Sequence, residues 1–278
     1  MLEIKNLIAG LVCISISIAL LYFRKPIFKK LDLEKIKEGN PIIELVLEYR
    51  SLAKLLSTYI DNLPALADEN SRLHTRLRQA GTTTGRMSSD SPNLQNIPAR
   101  GEHGNEVRKA FLASPGYSLV ALDYSQMEMR FLAALSGDKH LLEIFQENKD
   151  VHSSVAARIF GVAEDKVTKD MRRAAKVINF GIIYGMGVAA LQANLKVDRA
   201  KAKEFHQSFF EAYPGIREYF DQVIKEARER GYTETMYSRR RYLPDLNSPI
   251  PFIRTAAERA AMNAPLQGTA TGDVVKIA

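Results

Sequence analysis

Arg172, Lys176, Phe180 and Tyr184 are spaced four residues apart. In a helix each step of four drifts only about 40° around the axis, so these side chains form one stripe. The stripe is cationic toward its N-terminal end and aromatic toward its C-terminal end. That order suits a triphosphate at one end and a base and sugar at the other, through charge-assisted phosphate contacts and stacking. Gly181 and Gly185 remove bulk beside the aromatics, where a ligand could approach. A plainer reading is also open: aromatics at this spacing serve a core, and Arg or Lys a solvated face. A second feature is the run Asp123-Tyr124-Ser125-Gln126-Met127-Glu128-Met129-Arg130, which sets two carboxylates five residues apart across an expected strand-to-helix turn. An acidic residue on such a corner is well placed for a site, and equally well placed to cap the helix that follows.

The elements that must position these residues are legible in the pattern. Tyr117–Leu122 (YSLVAL) follows a Pro115-Gly116 turn and reads as a buried strand delivering Asp123 at its end. Helical spacing resumes at once and stops at Gly137. Helices are expected over 139–147, 150–160, 168–184, 187–195, 198–212 and 215–230, with Gly and Pro between them. Residues 232–243 alternate like a hairpin, 244–251 are a Pro-rich break, and a last helix runs from Phe252 past Asn263 until Pro265 interrupts it. Upstream, Ile42, Leu45, Tyr49, Leu52, Leu56 and Tyr59 mark one face of a packing helix. Residues 80–105 are rich in Gly, Ser, Thr, Asn and Pro, which suits an ordered loop or a linker. No internal repeat is visible.

The 278 residues are 46% hydrophobic, ample for one large domain or two ordinary ones. An excess of 39 Lys and Arg over 32 Asp and Glu gives a net charge of +7, which favours a polyanionic partner through counterion release. The same charge also suits a basic protein with no nucleic-acid role. Cys13 is the only cysteine, which excludes an intramolecular disulfide and a cysteine metal site. The uncharged run 7–23 precedes Arg24, Lys25, Lys29 and Lys30, a pattern for a short membrane helix that keeps the rest of the chain in the cytoplasm. The competing reading is a foreign start to a cytoplasmic protein.

Taken together, the motifs resemble those of the family A DNA polymerases, the bacterial DNA polymerase I type. DYSQMEMR at 123–130 resembles the family's first palm motif, RRAAKVINFGIIYG at 172–185 its fingers helix, and TGRMSSDSPNLQNIP at 84–98 its primer-binding segment. ERAAMNAPLQGTA at 258–270 matches a further palm motif, and YRSLAKLLSTYID at 49–61 resembles the end of the thumb. The resemblance covers about residues 32–278. It implies an α+β fold: a palm with a mixed or antiparallel sheet, incomplete here, a mainly helical fingers subdomain and a thumb remnant. The expected divisions are 1–30 as the hydrophobic segment, 31–80 thumb, 81–130 palm, 131–230 fingers and 231–278 palm again.

The resemblance also implies roles. Asp123 and the Tyr124 carbonyl would hold metal, two Mg²⁺ ions being expected in a complete site. Arg172, Lys176 and His152 would grip the triphosphate, with Lys176 counted among the catalytic groups beside Asp123, and Gln126 would line the same dNTP site. Phe180 would pack on the sugar and base, Tyr184 would hold the template stacking position, and Glu128 would block a 2′-hydroxyl. Arg86, Asn93, Gln95, Arg259, Asn263 and Gln267 would contact primer-template DNA in the minor groove without reading sequence. The expected protein is a monomeric, cytoplasmic DNA-directed DNA polymerase of replication or repair, with membrane anchoring through 7–23 as the alternative. The family's second metal carboxylate lies in a His-Asp-Glu motif beyond Ala278, so the chain is expected to be a truncated fragment inactive alone. Three other functions stay open: a non-catalytic or membrane-tethered nucleic-acid-binding fragment, a single-subunit RNA polymerase, which Glu128 argues against, and a small membrane protein.

Overall fold

In the computed structural model, which describes residue 33 and residues 40–98 and 102–277, the chain divides into two units. The first takes the chain up to Arg76 together with Ser89–Ser118; the second takes Leu77–Ser88 together with the chain from Leu119 onward. The chain leaves the first through β1 (Arg76–Arg78) and returns through β2 (Ser88–Asp90).

In the first unit, α1 (Pro41–Leu55) opens on a proline, which is tolerated there because the first-turn N–H has no helical partner. A π-helical turn (Leu56–Ile60) and α2 (Asn62–Ala65) follow. The expected packing helix therefore forms, but Ile42, Leu45, Tyr49, Leu52 and Leu56 are 40–63% exposed, and of that apolar row only Tyr59 is buried. The reason is that the unit's core gathers at the far end of α1: Tyr59, Leu63 and Val107, with Leu55, Leu73, Leu94, Ile97 and Phe111 packed around them. Val107 comes from α3 (Glu102–Lys109). Residues 89–98 are an ordered loop. Thr75 Oγ1 lies 2.5 Å from Ser89 Oγ and donates to the Pro92 carbonyl at 2.8 Å, and Ser89 Oγ accepts from Leu94 N–H at 3.0 Å.

The second unit is a helical block: α4 (Met127–Ser136), α5 (Lys139–Gln146), α6 (Val151–Phe160), α7 (Lys169–Ile183), α8 (Val188–Leu195), α9 (Arg199–Ala212) and α10 (Pro214–Arg230). Short polar side chains start four of them. Asp138, Asp150, Thr168 and Asp198 accept from the backbone N–H of Leu141, Ser153, Met171 and Lys201, satisfying donors that a helix start leaves open. Asp138 does more: its second oxygen accepts from Gly215 N–H at 3.0 Å, tying the start of α5 to the start of α10. The apolar faces meet in one core built from Met129, Leu132, Leu141, Val155, Ile178, Ile182, Leu191, Phe209, Tyr213, Ile216 and Leu266.

The chain then forms the expected hairpin, β3 (Tyr232–Glu234) against β4 (Arg240–Tyr242), antiparallel with Thr233 opposite Arg241. A 3₁₀ turn (Pro244–Asn247) leads to α11 (Pro251–Gln267), a π-helical stretch (Gly268–Val274) and α12 (Val275–Ile277).

Three expectations need correction. Residues 117–122 form no strand, and Tyr117, Leu119, Val120 and Leu122 are 72–93% exposed. A strand persists only when its N–H and C=O groups are paired by a neighbouring strand, and among the described residues no strand pairs with this run; Tyr117 N–H donates only to the Ser114 carbonyl at 2.9 Å, a turn contact. The expected palm sheet is accordingly reduced: the described residues form two two-stranded sheets, β1 with β2 and, further along the chain, an antiparallel hairpin, each strand three residues long. Pro265 does not interrupt the last helix, because α11 runs through it and the chain continues in π geometry from Gly268. The apolar run 7–23 lies outside the described residues, among which no helix is long and apolar enough to cross a membrane.

Candidate functional site

Helix α7 buries Ala175, Ile178, Ile182 and Ile183 against the core, which turns Arg172 and Lys176 to solvent and leaves Phe180 half-buried between the two faces. Tyr184, the residue that ends the helix, is 37% exposed. The stripe therefore lies on the open side of α7, and the core reading of its aromatics does not hold.

The stripe's cations differ. Arg172 is committed: its Nε and Nη2 donate to the two oxygens of Asp150 at 3.0 and 2.8 Å. The Arg172 guanidinium holds the Asp150 carboxyl well below the usual carboxylate range, and the carboxylate in turn raises the Arg172 pKa. Both side chains are more than a third exposed, so solvent screens the pair. Lys176 has no hydrogen bond or ion pair among the described residues, which leaves its ammonium available to an incoming anion.

Beneath the stripe lies His152, only 4% exposed, on the first turn of α6. Its ring is tilted 49° to Phe180 at 5.7 Å, and its Nδ1 is 3.0 Å from Asn179 Nδ2. Burial lowers its pKa, Asp150 opposes that, and Arg172 and Lys176 add to it. The imidazole is thus neutral at neutral pH.

At the aromatic end, Tyr184 Oη donates to Glu128 Oε2 at 2.5 Å, and burial followed by that carboxylate pushes the phenol pKa up. Arg86 is close enough to act on Tyr184 electrostatically. Gly185 has φ +69°, a region that L side chains rarely adopt, and a Cβ there would meet Arg259 Cγ at 2.7 Å. Its bareness admits Arg259, which brings α11 to the stripe. Gly181 serves a different end from the one its position suggests: it is buried, and a Cβ would press on Met186 and Leu191.

Arg86 stands on a loop held from beneath. Its carbonyl accepts from Thr82 Oγ1 at 2.8 Å. Cβ atoms at Gly268 and Gly272 would come within 3.2 and 2.9 Å of the Thr84 carbonyl, so the π-helical stretch lies directly against this loop. Asp273 in that stretch is 4% exposed and accepts from Thr235 Oγ1 at 2.6 Å and from Arg239 Nε at 2.8 Å.

Asp123 and Tyr124 are exposed on an irregular segment, and Gln126 takes a left-handed conformation with φ +54° where α4 begins. A carboxylate and a neighbouring carbonyl are hard oxygen donors of the kind Mg²⁺ takes. Two such donors fill only part of a six-ligand shell. Among the described residues no three acidic, His or Cys side chains gather to hold a metal.

A profile of DNA polymerase family A matches residues 25–278. The chain belongs to DNA polymerase family A. It is 49% identical over 247 residues to the thermostable DNA polymerase I of Thermus thermophilus and, equally, to that of Thermus aquaticus, covering 88% of this chain and 30% of each relative. DNA polymerase I of Streptococcus pneumoniae is 48% identical over 248 residues, 88% of this chain and 28% of the relative. Among solved structures, the POL domain of Pol1 from M. smegmatis, in complex with DNA primer-template and dNTP, superposes with a TM-score of 0.80 at 41% identity over 90% of this chain and 44% of that one. The chain spans less than a third of the length of these curated relatives.

Within this family A chain, the second unit gathers Arg172, Lys176, Phe180, Tyr184, His152, Glu128 and Arg86, with Arg259 at Gly185. Asn263 and Gln267 continue from Arg259 along the same face of α11, four residues apart. The Asn263 Oδ1 is buried without a partner. Asn93 and Gln95 belong to the first unit, where Asn93 Oδ1 accepts from Gln95 N–H at 3.0 Å and holds a turn. Sequence reasoning missed Asp150, Asn179, Thr235, Arg239 and Asp273. Asp150 carried a signal, since it precedes an apolar helix as a cap does; the others are defined by partners 27 to 38 residues away.

Proposed function

We propose that this chain carries the nucleotide-binding helix and much of the primer-template surface of a DNA-directed DNA polymerase acting in replication or repair. The full reaction transfers a nucleotidyl group from a dNTP to a primer 3′-hydroxyl. One observation carries the reading: α7 turns Arg172, Lys176, Phe180 and Tyr184 together to its open side, cations before aromatics. Likeness to a polymerase domain solved with DNA primer-template and dNTP supports it.

In this reading residues 31–80 are thumb, 81–130 and 231–278 palm, and 131–230 fingers. Lys176 meets the triphosphate as an unpaired cation, and Arg172 exchanges Asp150 for phosphate oxygens. Phe180, backed by the His152 ring, packs on sugar and base. Glu128, fixed by Tyr184, stands where it excludes a 2′-hydroxyl, and Gln126 lines the same site. Arg86, Arg259, Asn263 and Gln267 of the second unit contact the duplex, and Asn93 and Gln95 of the first unit are assigned DNA contacts of their own by family resemblance. Mg²⁺ held by Asp123 and the Tyr124 carbonyl would neutralise phosphate charge during transfer.

The test is dNTP binding by the purified chain, read by fluorescence anisotropy of a labelled dNTP. Lys176→Ala is expected to weaken it about tenfold, the loss of one charge-assisted contact, while DNA affinity changes little. Equal losses in both would sink the assignment. A second reading, binding without catalysis by this chain, is favoured because among the described residues no three acidic, His or Cys side chains gather as a metal site. Primer extension with Mg²⁺ separates the two.

A further inference from the structure

Asn179 is fully buried on α7, between the core and the stripe, where an amide needs a reason to be. Its Nδ2 lies 3.0 Å from His152 Nδ1, while its Oδ1 has no partner. The opposite orientation, with Oδ1 accepting from Nδ1–H, would leave both amide hydrogens without an acceptor in a sealed position rather than one hydrogen and one carbonyl oxygen, and an orphaned N–H is the costlier of the two. His152 Nδ1 therefore accepts.

A neutral imidazole has one N–H, and the hydrogen bond at one nitrogen decides which nitrogen carries it. We propose that Asn179 is a positioning residue that holds His152 as the Nε2–H tautomer, so that the ring offers its single proton to a phosphate oxygen of a nucleoside triphosphate on the α7 face. The inference rests on the nucleotide-binding reading of that face. The surroundings of His152 agree with it. The charged groups acting on the ring are Asp150 at the start of α6 and Arg172 and Lys176 on α7, and Phe180 covers one side. Burial and the two cations keep the ring uncharged, so tautomer rather than charge governs what it can donate. Among the described residues His152 Nε2 makes no hydrogen bond. The cations Arg172 and Lys176 would bind phosphate by charge; a fixed neutral donor adds direction.

The test uses the ¹⁵N-labelled chain. Long-range ¹H–¹⁵N correlation should report Nε2–H for His152 in the wild type at pH 7.5, and Nδ1–H in Asn179→Asp, whose carboxylate can only accept. Tripolyphosphate should shift the wild-type Nε2 resonance, and Asn179→Asp should bind it about tenfold more weakly, the loss of one directed donor. Asn179→Asp also adds negative charge, so the same change is made in His152→Gln, where no tautomer exists. There the loss should be under about threefold, and the difference between backgrounds measures the tautomer's share. Nδ1–H in the wild type would overturn the proposal with no variant involved, as would equal losses in both backgrounds. Nε2–H in the wild type with no response to millimolar tripolyphosphate would instead overturn the phosphate role and the nucleotide reading beneath it, leaving the Asn179–His152 pairing in place.

Discussion

Replacing Asp273 with leucine tests whether the loop bearing Arg86 is held by charge. The carboxylate is 5% exposed and accepts from Arg239 Nε at 2.8 Å, Arg239 Nη2 at 2.7 Å and Thr235 Oγ1 at 2.6 Å. Losing one partner of a buried pair costs about 3–5 kcal/mol, because the other charge is left uncompensated. Arg239 is 37% exposed and can recover water, which brings the expected cost to about 3 kcal/mol. In a unit of this size that lowers Tm by roughly 6–12 °C. Asp273→Leu is compared with Arg239→Met and with the double variant by urea unfolding. The double variant should be more stable than the sum of the single losses predicts, since removing both charges leaves no orphan. The Arg86 loop rests on the Gly268 and Gly272 backbone beside this pair, so primer-template affinity should fall with stability in Asp273→Leu and recover partly in the double variant. A loss below about 1 kcal/mol, or strict additivity, would refute the idea that this ion pair carries the loop.

Asp138→Ala removes a helix cap and the acceptor for Gly215 N–H at once, and should cost about 2–3 kcal/mol in urea unfolding, whereas capping Asp198→Ala should cost about 1. His152 has a folded pKa below its ordinary 6.5, so the unfolded chain binds the proton first as pH falls. Its contribution is full above pH 6.5 and is lost as pH falls below that value; stability measured between pH 8 and 5 should decline, and His152→Gln should flatten the profile. Gly185→Ala should displace Arg259 and weaken DNA binding several-fold, read by anisotropy, with dNTP affinity less affected; an unchanged DNA affinity would count against Arg259 as a duplex contact.

The helical block was legible because its signals are local. Asp138, Asp150, Thr168 and Asp198 precede periodic apolar runs and Gly137 closes one, so helix limits follow within a residue or two. The stripe was legible for the same reason, four residues on one helix face. What escaped depends on distance along the chain. YSLVAL has the composition of a buried strand, but pairing comes from other strands, and none among the described residues supplies it. The row Ile42, Leu45, Tyr49, Leu52 and Leu56 identifies a face without saying what covers it, and it stands exposed. Arg172 looks like Lys176 in sequence; only the fold sets Asp150 against one and leaves the other open. Gly181 and Gly185 look equivalent too, yet one accommodates core side chains and the other an arginine.

The π-helical stretch at Gly268–Val274 has a genetic consequence. Such a stretch holds one residue more per turn than an α-helix and so absorbs a single-codon insertion without moving what lies before it. Deleting Thr271 would let the stretch close to α geometry, and because one α residue turns further than one π residue, Asp273 would keep nearly its present direction toward Arg239 and Thr235. A one-codon deletion there should therefore be much milder than Asp273→Leu, because the carboxylate stays within reach of its partners although the chain is shorter.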